Sequence, residues 1–239
     1  MPIGSFEKGP PVGATTSDIL MSIVVADPDR FQLQYRGFFA EPVFSVLGNP
    51  ARLYTNLLRY MGPFGATAGG LNVNLAVLAQ ANVSCLFSFG YVRVALDNVE
   101  LFMREVQSQK QIQQVLNQVL TAMHETDGAL QPVRHEATLL AWARLKEELF
   151  SSYIRRFVTI PAGMANPDVE FVEVGGDGTR IGTIRLEEAA DIREGLFFRS
   201  TMNLGSTVPS SADKLVPEFV RRLKSQLSLM NLDVPLRLE

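Results

Sequence analysis

The sequence predicts an α+β fold with antiparallel strands in the N-terminal part, a long helical hairpin in the middle, and a β-hairpin and a C-terminal helix at the end. Three patterns indicate this class. Apolar residues alternate with polar ones in short stretches before residue 92, and they recur every three or four positions between residues 99 and 157. A cluster of glycines between two β-branched runs, at residues 175–178, indicates the β-hairpin.

Length and composition indicate one globular unit. The chain has 239 residues, of which 46% are hydrophobic and 20% charged, and its net charge is −3. This balance is typical of folded domains. Glycine and proline dominate residues 1–16, which predicts a flexible N-terminal arm, and residues 17–239 are predicted to form a single α+β domain. The one cysteine, Cys85, excludes a disulfide within the chain and a cysteine-based zinc site.

The N-terminal strands follow from short branched or alternating runs. Residues 19–25 are rich in isoleucine and valine and predict a buried strand. Asp27, Pro28 and Asp29 predict a turn, and the alternation over residues 31–36 predicts a half-buried strand. Residues 43–47 predict a third, short strand.

A helix and two further strands are predicted next. Asn49 followed by Pro50 is a strong helix start, and Gly62 ends that helix. Apolar residues then alternate over residues 71–77 and again over 83–91. We therefore expect two strands joined around residues 79–82, each with one apolar face.

The helical hairpin is predicted from spacing and from a cap. Asp97 and Glu100 have the arrangement of a capping box, so a long helix is expected to run to about residue 125. A second helix is expected over residues 135–158, because apolar residues recur there at intervals of three and four. His124 and His135 flank the connection and are expected at solvated helix ends.

The last two elements are a β-hairpin and a helix. Residues 169–174 and 180–186 flank the glycine cluster, and this is the clearest hairpin signal in the chain. Pro217 is expected to begin the C-terminal helix, with Phe219, Leu223 and Leu227 on one face. Residues 187–194 predict at most two acidic helical turns, and residues 196–204 give no clear assignment.

Several chemistries lack their motifs. The glycine-rich segment 62–70 follows a helix and precedes a strand, the reverse of the order that a phosphate-binding loop requires. The chain has neither a Gly-Lys dipeptide nor a G-x-S-x-G elbow, and its two histidines lack metal-ligand spacing. We therefore predict no catalytic residue, no metal and no cofactor, and the sequence leans away from an enzyme.

The candidate binding residues are basic. Two short clusters end or line predicted helices, and if they converge they would form a patch for an anion or an acidic partner. Cations late in a helix also simply interact with its dipole. The patch comprises Arg155, Arg156, Arg221, Arg222 and Lys224.

These patterns favour a non-catalytic structural or assembly protein. A high hydrophobic share with little charge predicts surfaces that a partner covers, so we expect self-association as in a coat, nucleocapsid or scaffold-like subunit. Homo-oligomerisation is the main partner prediction, and nucleic-acid binding is the weaker one. An intracellular, cytoplasmic location is expected, because no apolar signal segment opens the chain.

Two other functions stay open. No charged residue occurs from Tyr60 to Val92, and alternation there would also suit a membrane-active, pore-forming protein that inserts a 71–91 β-hairpin. A membrane is a predicted partner only under that alternative. The second alternative is an enzyme whose site is assembled from distant loops.

Overall fold

One large antiparallel sheet forms the frame of the molecule. The computed structural model describes residues 24–72, 81–146, 148–205 and 211–235. Within these residues ten strands join into one sheet. The strands are β1 (Val24–Phe38), β2 (Ala68–Asn72), β3 (Asn82–Phe87), β4 (Gly90–Ala95), β5 (Asn98–Met103), β6 (Arg134–Leu145), β7 (Val169–Val174), β8 (Arg180–Glu188), β9 (Gly195–Gly205) and β10 (Leu232–Asp233).

Sequence neighbours are mostly neighbours in the sheet. The strand order is β2-β3-β4-β5-β1-β6-β9-β8-β7, and β10 adds a short parallel pairing to the start of β1. The long strand β1 is therefore central, with β5 on one side and β6 on the other. Strands β2 and β7 end the order at its two edges.

The described helices pack on one face of this sheet. They are α1 (Ser45–Gly48), α2 (Pro50–Met61), α3 (Gln109–Thr126), α4 (Phe150–Ile154) and α5 (Ala212–Leu229), and a short 3-10 turn spans Gly62–Phe64. Helix α2 contacts β3, helix α5 contacts β9, and α3 lies against both α2 and α5.

The core lies between the helices and the sheet. Alternate residues of β1, namely Phe31, Leu33 and Tyr35, are buried and face the helices. Leu33 and Tyr35 approach Ile112 of α3 and Phe219 of α5 across a small apolar gap. The buried apolar residues form one continuous cluster, so one core supports the described part of the chain.

The predicted helical hairpin is wrong, and with it the predicted fold class. Residues 98–103 are strand β5 and only residues 109–126 are helical. Residues 134–145 are strand β6, and the second helix is reduced to the five residues of α4. The middle of the chain therefore adds two central strands to the sheet.

Strand β6 explains why spacing failed there. Its buried apolar residues are Ala137, Leu139, Ala141, Ala143 and Leu145, which alternate as a strand requires. Leu140 and Trp142 occupy the other face, so apolar residues occur on both faces and also fit a spacing of three or four. Alanine and leucine favour helices in isolation, but sheet pairing on both sides overrides that preference.

Smaller assignments also change. Residues 45–48 are helix α1, not part of a strand. The turn expected at Asp27–Asp29 is an irregularity within β1, between Pro28 and Arg30, where proline is tolerated because the ladder is already interrupted. The single strand expected over 83–91 is two strands, because the chain reverses between Phe87 and Gly90.

Three predicted elements are confirmed. Helix α2 begins at Pro50, and the side chain of Asn49 accepts a hydrogen bond from the Arg52 amide at 3.3 Å. The hairpin of β7 and β8 surrounds the glycine cluster, where Gly178 has a positive φ of 82°. The C-terminal helix α5 exists, although it begins at Ala212, so that Pro217 lies inside it.

Some predictions fall outside the described residues. These are the arm at 1–16, most of the strand expected at 19–25, and residues 73–77 of the next predicted strand. Among the helices that the structure describes, none combines the length and the apolarity needed to cross a bilayer.

Candidate functional site

The sheet face opposite the helices carries the most distinctive surface of the described chain. We call it the open face, and it consists of the side chains that alternate with the buried ones on each strand. On the central strands the register places Gln34 between Phe102 and Thr138, and places Arg36 between Glu100 and Glu136. Exposed arginines on the same strands show that the described helices leave this face uncovered.

Glu100 is a buried carboxylate near the centre of the open face. Only 3% of this residue is exposed, and its carboxylate accepts hydrogen bonds from Gln34 Nε2 at 2.9 Å, Tyr91 Oη at 2.6 Å and Arg93 at 2.6 Å. Burial raises the pKa of Glu100, but the Tyr91 hydrogen bond and the Arg93 charge outweigh it and leave the pKa below its usual value. The charged carboxylate therefore holds the tyrosine ring and the guanidinium in place.

Two aromatic pairs stand on either side of β1. Tyr91 of β4 and Phe102 of β5 have ring centroids 5.5 Å apart. Trp142 of β6 and Phe197 of β9 are 4.8 Å apart, and the Arg30 guanidinium lies 4.4 Å from the Trp142 ring. All four rings are half-buried, so part of each remains accessible.

Arginine is concentrated on the open face. Strand alternation places seven of the chain's 22 lysines and arginines there. Arg93 pairs with Glu100, and Arg185 pairs with Asp168 and Glu187. The seven are Arg30, Arg36, Arg93, Arg134, Arg144, Arg185 and Arg199.

Four of these arginines, Arg36, Arg134, Arg144 and Arg199, are exposed and form no ion pair with any carboxylate of the described residues. Arg36 nevertheless lies between Glu100 and Glu136 in the strand register, and its charge contributes to the lowered pKa of Glu100. The Arg134 guanidinium lies 4.1 Å from the Phe38 ring. The five central strands β4, β5, β1, β6 and β9 carry six open-face arginines against the open-face carboxylates Asp27, Glu100 and Glu136. Asp29 lies at the irregularity of β1, and Asp191, outside these strands, pairs with Arg30 at 2.6 Å. The centre of this face is therefore positive although the chain is net negative.

Strand β7 forms a free edge of the sheet. Among the described residues it pairs only with β8. Val172 and Val174 are 49% and 55% exposed on this strand. Its two glutamates are engaged within the chain, since Glu170 pairs with Arg180 at 3.4 Å and Glu173 accepts from Gln226 at 2.7 Å.

The basic residues predicted from sequence have separate partners. Arg156 is largely buried and pairs with Glu148 at 2.7 Å, whereas Arg155 is exposed at the end of α4. These two residues are on a different helix from the other three predicted residues.

On α5 the other cluster is also engaged. Arg221 donates to both carboxylate oxygens of Glu218, at 2.8 and 2.7 Å, and Arg222 donates to the Asn203 carbonyl. Lys224 is exposed. Binding of an anion or an acidic partner by these two clusters stays a prediction, because their strongest contacts are within the chain.

His135 is not a solvated helix-end histidine as the sequence suggested. It lies on β6 with no exposed surface, and its Nδ1 is 2.9 Å from Tyr35 Oη. Burial lowers the pKa of His135 to about 4 and raises the pKa of Tyr35. The two groups form a neutral, buried pair, while His124 is exposed in the last turn of α3.

A surface cleft of about 570 Å³ lies beside the start of β1. Its charged groups are already paired, Lys146 with Asp27 at 2.8 Å and Arg156 with Glu148. Across the described ranges, no three histidine, cysteine, aspartate or glutamate side chains are grouped as metal ligands would be.

Sequence reasoning missed the open face because it assigned β5 and β6 to helices. Glu100 was interpreted as part of a helix cap, and Trp142 fell within the second predicted helix, residues 135–158. The sequence did contain the alternation of a strand. The polar residues Arg134, Glu136, Thr138 and Arg144 of β6 all lie at even-numbered positions, which share one face. Apolar residues at Leu140 and Trp142 obscured it.

Comparison with known proteins adds no relative. The chain matches no protein-family model, and no curated protein matches it significantly. The function is therefore argued from the geometry of the open face and of the β7 edge.

Proposed function

We propose that this protein is a non-catalytic assembly subunit that acts through protein–protein contacts and associates with itself along β7. The observation that carries the proposal is the edge of β7, which has one strand partner in the described chain and two exposed valines. Unpaired edge backbone groups are a ready template for another strand.

The sequence of β7 suits pairing with its own copy. In a two-fold symmetric antiparallel pair, opposite residues lie on the same face of the sheet. A register centred on Val172 places Val172 opposite its copy and Glu170 opposite Val174. No glutamate then faces another glutamate, so the pair avoids like-charge repulsion.

Features that usually protect an edge are weak here. Natural edges are blunted by proline, by lysine or by inward-pointing charges. The six residues of β7 contain none of the first two, and both glutamates already have partners within the chain. Pairing two β7 strands would join two sheets into one continuous sheet across a dimer.

Light scattering coupled to gel filtration tests this proposal. At about 50 μM, a concentration suited to an interface of modest size, we expect the mass of a dimer or larger oligomer for the wild type. Val172→Lys should give a monomer, because two ammonium groups would face each other across the symmetry axis.

Leu86→Lys is the matched control. This residue of β3 is 49% exposed, as Val172 is, and the strand order places β3 seven strands away from β7, so the variant should keep the wild-type mass. A wild-type monomer at this concentration, or equal loss of association in both variants, would contradict the proposal.

No observation favours the two alternatives. In this structure β3 lies between β2 and β4, and Val83 and Cys85 have no exposed surface. The pore-forming reading of residues 71–91 stays a prediction that a liposome leakage assay would test. The dispersed-site enzyme likewise stays a prediction, and the charged groups of the cleft beside the start of β1 are paired within the chain.

A further inference from the structure

We infer that the open face binds single-stranded nucleic acid. The inference goes beyond the proposed self-association and rests on different residues. It combines three observations on one surface: unpaired arginines, two accessible aromatic pairs and a polar strip between them.

The charge of the open face suits phosphate. Arg144 and Arg199 are exposed and form no ion pair with the described carboxylates, so their guanidinium groups are available to phosphate oxygens. Arg36 is also exposed, but it lies between Glu100 and Glu136 in the strand register and is partly neutralised by them. Glu100 is fully engaged by three donors and holds Arg93 in place beside Tyr91. A flexible polyanion gains contacts with such a surface and releases counterions on binding.

The aromatic pairs provide platforms for bases. Phe102 lies opposite Gln34 of β1 and Trp142 lies opposite Arg30, so the pairs are separated by two strand spacings and four residues along β1. Standard sheet dimensions convert this to about 16 Å between the pairs. Unstacked bases of a single strand can rest on rings spread across a sheet in this way.

Polar side chains separate the rings. Gln34, Thr138 and Thr201 occupy the middle of the face, and Thr138 and Thr201 are hydrogen-bonded at 3.0 Å. The strongly exposed apolar residues Leu86, Val172 and Val174 lie near the margins, and the excess of arginine at the centre favours a polyanion. Aromatic residues and arginine are also enriched at protein interfaces, so an acidic protein is the competing occupant. A duplex would keep its bases stacked and away from the rings.

Fluorescence anisotropy with a labelled twelve-residue oligouridine tests the inference. We expect binding by the full chain at 50 mM salt and weaker binding at 200 mM. The double variant Arg144→Glu with Arg199→Glu should bind at least tenfold more weakly, and its salt slope should fall by about 1.4, the value for two lost phosphate contacts on a single strand.

A second variant examines stacking. Phe102→Leu keeps an apolar side chain but removes the ring, and we expect roughly fivefold weaker binding, the lower end for loss of one base–aromatic contact. Binding should also quench the emission of Trp142, the only tryptophan, because a base would contact its ring.

The matched control carries the same charge change on the helix side. Lys110 and Lys214 are exposed in the first turns of α3 and α5, and reversing both to glutamate also lowers the net charge by four. We expect this control to bind like the wild type. Circular dichroism melting confirms that each variant is folded.

Several results would overturn the inference. They are no binding by the wild type at 50 mM salt, equal loss in the Lys110 and Lys214 control, tighter binding of a twelve-base-pair duplex, or tighter binding of polyglutamate, which would indicate an acidic protein. Molecular mass is measured in parallel. A Val172→Lys monomer that still binds oligouridine separates this inference from the proposed assembly role.

Discussion

At the scale of single residues, the groups that surround a buried side chain decide whether it is charged. His135 and Tyr35 are a hydrogen-bonded pair within the core, beside Gly37, where a Cβ would lie 2.7 Å from the tyrosine oxygen. Glu100 is equally buried but has two neutral donors and one guanidinium around it. The histidine is therefore kept neutral and the glutamate is kept charged.

The buried histidine makes stability depend on pH. The unfolded chain binds a proton at His135 as the pH falls through about 6.5, whereas the folded chain binds it only near a pKa of about 4. Stabilisation by neutral His135 is therefore complete above the unfolded value and is lost as the pH falls. We expect the free energy of unfolding to drop by about 2 kcal/mol between pH 7 and pH 5, measured by urea titration.

The variant His135→Asn tests whether His135 causes this dependence of stability on pH. Asparagine retains an acceptor for Tyr35 but does not titrate, so the variant should lose little stability over the same pH range, from a lower starting value. His124→Asn, at an exposed position, should follow the wild type. An unchanged pH dependence in His135→Asn would show that another group is responsible.

At the scale of elements, local caps define where helices begin. Helix α3 starts after Ser108, whose hydroxyl accepts from the Gln111 amide at 3.1 Å. Apolar spacing predicted one long helix over this segment, but the segment is a strand before Ser108 and a helix after it. Residues 98–103 are a strand because hydrogen bonding to strands on both sides stabilises them more than helical hydrogen bonds would. The cap is what allows the chain to change from strand to helix within a few residues.

Ser108→Ala should therefore destabilise the protein by about 1 kcal/mol, because the Gln111 amide loses its acceptor. Ser108→Asp should retain the stability, since a carboxylate both accepts the bond and interacts with the helix dipole. Urea denaturation measures both variants. Equal stabilities for alanine and serine would mean that the cap contributes nothing here.

At the scale of the whole molecule, one sheet couples all parts of the described chain. Strand β1 pairs with β6 over residues 26–38, with β5 over residues 33–38 and with β10 at its start. The helices share a single core with that sheet. Unfolding of β1 would therefore separate β5 from β6 and expose the core that the sheet covers.

This coupling predicts cooperative unfolding. Trp142 reports on the open face, and far-ultraviolet circular dichroism reports on all elements. The two urea transitions should coincide, with one midpoint for both signals. A tryptophan transition well before the circular dichroism transition would indicate that the open-face strands unfold separately.

Sequence patterns predicted the elements whose signals are local. The Asn49 cap, the glycine-rich β7–β8 turn and the apolar face of α5 each depend on residues within a few positions of one another. Strands β5 and β6 were missed because their pairing partners are distant in the chain and their outer faces carry Phe102, Leu140 and Trp142. The predicted basic patch shares no residue with the open face for the same reason.

The sequence by itself determined a folded chain with no disulfide, and it determined where helix α2, the β7–β8 hairpin and helix α5 lie. Only the tertiary structure decided that the middle of the chain is sheet, that His135 is buried and that the arginines of five strands share one surface. The physical reason is that backbone pairing between strands and the burial of one sheet face are non-local. They bring together residues whose spacing in the sequence carries no record of the contact.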